Sequence, residues 1–207
     1  MLKDFYKKAM DVVFVNFLWI ITSLLGIFLT LGAATSAMFS VMFKIINTDE
    51  PTSVLKEYWK SFKENFWFST LVWLILVILA IPIYFMYIYS LNKGLDLLVI
   101  LALVGAYQII IFFIYFFPTL ALFKTESKGQ MLKNVLIMAN KNLWTNFKVL
   151  GSLVFVIILV LYVHISFLVI AVGIYGFLVA FHLMKIFRPY LAQFEQNIEK
   201  EEILWVI

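Results

Sequence analysis

Four long runs without a charged side chain divide this sequence, and they cover residues 12–43, 65–92, 97–123 and 149–184. A helix needs about 20 mostly apolar residues to cross the hydrocarbon core of a membrane. The second and third runs therefore predict one transmembrane helix each, joined by the short turn from Asn92 to Asp96. The first and fourth runs hold 32 and 36 residues, which is long for one helix and slightly short for two.

Charge placement favours a hairpin for each of the two longer runs. With hairpins, 15 of the 16 Lys and Arg residues lie on one side of the membrane, and only Lys93 lies on the other. With single helices the split becomes 9 against 7. Because Lys and Arg collect on the cytoplasmic side, the sequence predicts three hairpins with both termini in the cytoplasm. A single long tilted helix or a re-entrant segment is the alternative for the first run.

Each of these two hairpins needs a turn, and small or polar residues indicate where. In the first run, Gly32 stands between Thr30 and Thr35, whose hydroxyls could bond backbone groups freed by a break in the helix. In the last run, the most polar point near the middle is Tyr162 to Ser166. We expect the turns at these two places.

Two amphipathic segments, Thr52 to Phe66 and Ser127 to Phe147, lie between the hairpins. Each has apolar residues on one helical face and lysines on the other, which is typical of helices at the membrane interface. Thr52 or Ser53 caps the first of them. Either the apolar faces anchor the chain to lipid, or they dock a partner. The candidate docking residues are Tyr58, Trp59, Phe62, Asn65, Phe66, Leu136, Asn142 and Trp144.

Small and neutral polar side chains mark a candidate packing site within the membrane. Small residues let helices approach closely, and amide or hydroxyl groups bond across helices. A ligand pocket is the alternative use of the same groups. The candidate packing and turn residues are Asn16, Thr30, Gly32, Ala33, Thr35, Ser36, Ala37 and Gln108.

Composition supports the membrane class and argues against catalysis. The chain is 64% hydrophobic and 14% charged, far from the average of a soluble domain. The sequence has no cysteine, only two histidines and no carboxylate in the runs that would enter the membrane. We therefore predict no catalytic residue, no metal site and no cofactor, and the net charge of +4 does not suggest nucleic acid as a partner.

The sequence thus predicts an all-α, polytopic membrane helix bundle. It has about six membrane helices as three hairpins, plus two cytoplasmic interfacial amphipathic helices. We expect one integral membrane domain over residues 1–207, with an amino terminus that is retained because the following apolar run is too long for a signal peptide.

Several motifs resemble the YesL-like family of small bacterial membrane proteins, a domain of unknown function. They are Asn16-Phe17-Leu18-Trp19, the stretch from Thr30 to Phe39 that reads TLGAATSAMF, Phe62-Lys63-x-Asn65-Phe66 and Phe117-Pro118. The family usually has proline after the glycine, where this sequence has Ala33. The resemblance implies a non-catalytic accessory subunit of a bacterial carbohydrate ABC importer in the cytoplasmic membrane. The expected partners are membrane lipid, ABC permease subunits and a sugar-binding lipoprotein.

A second function class remains open. A six-helix chain of this length with small-residue spacing also looks like the substrate-capturing component of energy-coupling-factor vitamin importers. Those proteins need a polar pocket that faces outside, whereas the predicted outward turns here are very short.

Overall fold

The computed structural model describes residues 2–26, 28–47, 53–123 and 127–204, with side chains described between residues 4 and 191 of these ranges. Within them the chain forms seven α-helices and no strand. They are α1 (Leu2–Leu25), α2 (Leu31–Ile46), α3 (Val54–Lys93), α4 (Asp96–Leu122), α5 (Lys128–Lys141), α6 (Leu143–Ile158) and α7 (Ala171–Leu204). A π-helical turn, Leu159–Val163, extends α6, and a 3-10 segment, Ile165–Val169, precedes α7.

The lengths of these helices fit a multi-pass membrane protein, which confirms the predicted fold class. Five described segments are long and apolar enough to cross a membrane: Asp4–Leu25, Val54–Lys93, Asp96–Leu122, Leu143–Val163 and Ala171–Leu191. The sixth apolar helix, α2, has 16 residues and is about 24 Å long at 1.5 Å per residue.

Two of the predicted turns are confirmed. Gly94, in the left-handed conformation with φ 65°, ends α3, and the Leu95 N–H donates to the Ser90 carbonyl across 3.0 Å. Glycine suits this position because it has no side chain to clash there. In the last run, the chain becomes extended at His164, with φ −164° and ψ 137°, so the α6–α7 hairpin turns within the predicted Tyr162 to Ser166 stretch.

The first run also forms a hairpin, but the turn predicted at Gly32 is wrong. Gly32 is the second residue of α2, and the turn lies earlier, at residue 26 and residues 28–30. Phe28 takes a positive φ of 60° there, and the Trp73 indole N–H donates to its carbonyl across 3.0 Å. A turn in an apolar environment needs such internal partners for its backbone groups.

The two amphipathic segments differ from the prediction. The first is the amino-terminal part of α3, which continues without a break for 40 residues. Of its two predicted caps, Ser53 has a hydroxyl that accepts from the Lys56 N–H at 3.3 Å, whereas Thr52 lies outside the described residues. The second segment is divided at Asn142 into α5 and the start of α6.

Helix α2 occupies the centre of the bundle. Its residues from Gly32 to Phe39 are all buried, and it contacts α1, α3, α4 and α7. Large aromatic side chains complete the core around it, and Phe43, Tyr115, Phe116, Phe117 and Phe187 are fully buried.

The α3–α4 hairpin extends beyond this core as a separate apolar arm, which we define as residues 77–93 of α3 and 96–110 of α4. Buried residues on α3 end at Leu76 apart from Ser90, and those on α4 begin at Ile111 apart from Ala102. Seventeen helical residues span about 25 Å. Apart from Ser90 and Ala102, the residues of the arm are exposed or half-buried along most of one membrane thickness.

Candidate functional site

A polar cavity lies where the end of α2, the start of α3, the end of α4 and the start of α5 meet. Its volume is about 580 Å³, within the range of small-molecule and cofactor sites. The polar and charged side chains that line it are Ser40, Lys44, Asn47, Glu57, Lys60, Ser61, Glu64, Asn65 and Lys128. Aromatic and aliphatic side chains complete the wall, including Phe43, Trp67, Phe68, Phe123 and Met131.

The best-defined polar contact in this cavity joins α2 to α3. The Lys44 ammonium lies 2.7 Å from a Glu57 carboxylate oxygen, and the Ser40 hydroxyl donates to the other oxygen across 3.0 Å. Glu57 lies in the charged part of α3 that precedes the uncharged run from Asn65. These two contacts hold the Glu57 carboxylate in a fixed position in the wall.

Other side chains are held at the cavity by local contacts. The Lys128 ammonium lies 5.0 Å from the centre of the Phe68 ring, a cation–π contact. The Asn65 amide donates to the Ser61 hydroxyl across 3.3 Å. These contacts fix one lysine and one amide on opposite helices of the site.

An apolar groove of about 340 Å³ adjoins the polar cavity. Its walls come from α4, α5 and α7, with Thr119, Asn134, Ile137, Met138 and Tyr190 among them. Phe123 and Met131 line both the groove and the polar cavity, so the two spaces flank the same pair of side chains.

The predicted docking residues on α3 divide into buried and exposed ones. Tyr58 does not face a partner, because its side chain is fully buried and its hydroxyl lies 2.7 Å from the Thr22 hydroxyl. Trp59 is 41% exposed. Phe62 and Phe66 are half-buried and continue an aromatic row from Trp59, with ring centres 5.3 and 5.6 Å apart.

The predicted docking residues of the second segment lie elsewhere on the molecule. Leu136 and Trp144 are 48% and 73% exposed. Asn142 instead caps the carboxyl end of α5, where its side-chain amide donates to the Met138 carbonyl across 2.8 Å. Gln108, 14 residues before the end of α4, donates to the Asn140 carbonyl oxygen across 2.8 Å. Helix α5 thus runs back along α4 for about 20 Å, and the two segments do not form one surface.

Asn16 joins α1 to the start of α7. Its amide N–H donates to the Val169 carbonyl across 2.6 Å, and its amide oxygen accepts from the Gly173 N–H at 2.7 Å. Asn16 itself is fully buried. It satisfies two backbone groups where the chain leaves the 3-10 segment and begins α7.

The other predicted packing residues cluster on the first hairpin. The Thr30 hydroxyl donates to the Thr22 carbonyl across 2.7 Å, and the Thr35 hydroxyl accepts from the Trp19 indole N–H at 3.0 Å. A Cβ atom on Gly32 would lie only 2.5 Å from the Ser69 carbonyl oxygen, so this glycine permits close backbone approach of α2 and α3. The remaining members, Ala33, Ser36 and Ala37, are buried on α2.

Sequence reasoning missed the polar cavity and several contacts between helices. Lys44 and Glu57 belong to two segments whose separate patterns do not indicate a contact, and Tyr58, predicted to dock a partner, is buried. The local pattern around Trp73 and Trp19 does not indicate their hydrogen-bond partners, Phe28 and Thr35. Among the described residues, no three His, Cys, Asp or Glu side chains are grouped so that they could hold a metal ion.

Comparison with known proteins shows that part of this chain is similar to a described family. Residues 12–87 match the sequence model of the family described as "Protein of unknown function, DUF624". The predicted family resemblance is confirmed. The DUF624 match includes all of α2 and continues into the arm as far as Tyr87, so it contains the hairpin turn, the close contact at Gly32 and the Lys44–Glu57 pair.

One relative and the solved structures complete this comparison. The chain is 28% identical over 127 residues to "Uncharacterized protein YteU" of Bacillus subtilis (strain 168). The similarity covers 60% of this chain and 57% of that relative, so the chain spans little more than half of YteU. No solved structure matches.

Proposed function

We propose that this protein is a non-catalytic accessory subunit that packs against the permease of a bacterial carbohydrate ABC importer in the cytoplasmic membrane. Both termini then lie in the cytoplasm, as the distribution of Lys and Arg predicts. The link to carbohydrate uptake rests on the resemblance to the YesL-like family. The fold contributes the surface through which such a subunit can act.

The observation that carries this proposal is the exposed arm. Two shallow apolar grooves of about 300 Å³ each run between its helices. Ala80 lines both grooves, and Ala106 lines one of them. Small residues between larger ones favour close packing of a further transmembrane helix. A permease helix seated there would cover the part of α3 and α4 that this chain leaves bare.

The location of the polar cavity favours this function over substrate capture from outside. The cavity lies at the charged ends of the helices, whereas the tip of the arm between Lys93 and Asp96 is at the opposite end of α3. A substrate-capturing component needs its polar pocket at the outer face.

Co-purification tests the proposal, with a groove-filling variant of the arm. We expect the wild-type protein, extracted from its native membrane in mild detergent, to bring permease subunits of a carbohydrate importer with it. Ala80→Phe fills both grooves and should reduce their recovery about tenfold, which corresponds to about 1.4 kcal/mol. Quantitative mass spectrometry of the purified fraction measures this ratio.

Val104→Phe is the matched control, because Val104 is 54% exposed on the arm and does not line either groove. It should recover the permease as the wild type does. If the wild-type protein is recovered without permease subunits and without a bound small molecule, the proposal is contradicted. Recovery alone with a bound metabolite would instead favour the substrate-capturing class.

A further inference from the structure

We infer that the polar cavity and the adjoining apolar groove form one binding site for an anionic phospholipid. The phosphate of the headgroup lies in the polar cavity between Lys60 and Lys128, and an acyl chain follows the apolar groove. This inference is independent of the proposed role in carbohydrate import.

The charges of the cavity match a single phosphodiester. Lys44 and Glu57 neutralise each other across 2.7 Å. Among the described residues, the other charged side chains that line the cavity are Lys60, Lys128 and Glu64, which leaves one excess positive charge. A phosphodiester carries one negative charge, so it balances the site without a second ligand.

The cavity also lies at the level where lipid headgroups are found. Asn65 and Phe123, which both line it, stand at the boundaries between uncharged runs and charged segments. Trp67, another lining residue, is 83% exposed, as is usual for tryptophan at a membrane interface. Basic pockets between membrane helices on the cytoplasmic side are typical sites for anionic headgroups.

The apolar groove gives the acyl chain a place that a free phosphate does not need. It starts at Phe123 and Met131, the two side chains that it shares with the cavity. It then continues along Ile137 and Met138 of α5 towards Tyr190 of α7. A polar space and an apolar space that meet at the same residues fit a molecule with a charged head and a hydrocarbon tail.

Lipid titration of the purified full chain tests this site. Native mass spectrometry in detergent should show one tightly bound dioleoyl phosphatidylglycerol per chain and much weaker binding of dioleoyl phosphatidylcholine. The double substitution Lys60→Gln and Lys128→Gln should weaken phosphatidylglycerol binding about twentyfold, since each lysine loses its attraction for the anionic headgroup. The control, Lys63→Gln with Lys133→Gln, removes the same charge from exposed lysines outside the cavity and should bind as the wild type does.

A second pair of variants tests the groove and does not alter any charge. Ile137→Trp fills the groove and should weaken phosphatidylglycerol binding, whereas Leu136→Trp, on an exposed neighbour that does not line it, should not. Equal binding by Ile137→Trp and the wild type would overturn the inference, as would equal losses in the two lysine pairs. If inorganic phosphate competes fully at micromolar concentration and the groove variant binds normally, the cavity holds a free anion and not a lipid.

Discussion

Replacing Gly32 by alanine is expected to destabilise the protein by about 1–3 kcal/mol, because the added methyl group has no space. The new Cβ would lie 2.5 Å from the Ser69 carbonyl oxygen and 2.9 Å from the Phe117 ring. A backbone carbonyl cannot rotate away as a flexible side chain can. The substitution therefore forces α2 away from α3 and α4, and thermal unfolding followed by tryptophan fluorescence in detergent measures the loss.

Gly151→Ala is the matched control for this prediction. Gly151 lies within α6, and a Cβ atom there meets nothing within 4 Å. Alanine is favoured over glycine in a helix interior by about 1 kcal/mol, so this variant should be as stable as the wild type or more so. If Gly32→Ala unfolds at the same temperature as Gly151→Ala, then the close approach of α2 and α3 has no energetic importance.

Replacing Asn16 by leucine is expected to have the second large effect, a loss of about 2–5 kcal/mol. Leucine has a similar size but leaves the Val169 carbonyl and the Gly173 N–H without their partners at 2.6 and 2.7 Å. A polar group that is left buried without a hydrogen bond costs about 1–3 kcal/mol. The loss should concentrate where the α6–α7 hairpin meets α1, which hydrogen exchange of α7 amides can resolve.

Asn140→Leu provides the comparison for Asn16. Asn140 also makes amide hydrogen bonds, to Gln108 and to the Leu136 carbonyl, but both contacts are exposed. We expect the free energy of unfolding of the Asn140→Leu variant to lie within about 1 kcal/mol of the wild-type value. Similar unfolding temperatures for the two asparagine variants would show that the Asn16 bridge is not a structural clamp.

The sequence predicted the helical class and two turns because simple physical signals mark them. Uncharged runs of 27 and 28 residues leave little choice but membrane helices, and the short Asn92 to Asp96 segment between them includes Gly94, which allows a left-handed turn. The stretch around His164 is likewise the most polar one near the middle of the run from residue 149 to residue 184. Each of these signals is local in the chain.

The turn of the first hairpin could not be placed in the same way. Both Gly26 and Gly32 lie within four residues of hydroxyl side chains, and a glycine can serve either a turn or close helix packing. The turn at Phe28 is stabilised by the distant Trp73, whose indole N–H donates to the Phe28 carbonyl across 3.0 Å. Such a contact between segments has no signature in the local pattern.

The polar cavity was hidden for a related reason. Lys60 and Lys128 have the pattern of exposed lysines on amphipathic helices, and only the fold shows that both line the same cavity. The ion pair between Lys44 and Glu57 joins residues 13 positions apart in different helices. Periodicity describes a face of one helix but does not show which face of another helix lies opposite.

In-membrane photocrosslinking from the arm tests the central claim of this account most directly. A photoreactive amino acid in place of Tyr84, which is 61% exposed and lines an arm groove, should form an adduct with a permease subunit of a carbohydrate ABC importer. The same amino acid in place of Tyr162, 83% exposed beside the α6–α7 turn, should not form this adduct. Adducts with lipid alone at position 84, in a protein that is correctly inserted, would contradict the claim that the arm seats against a permease.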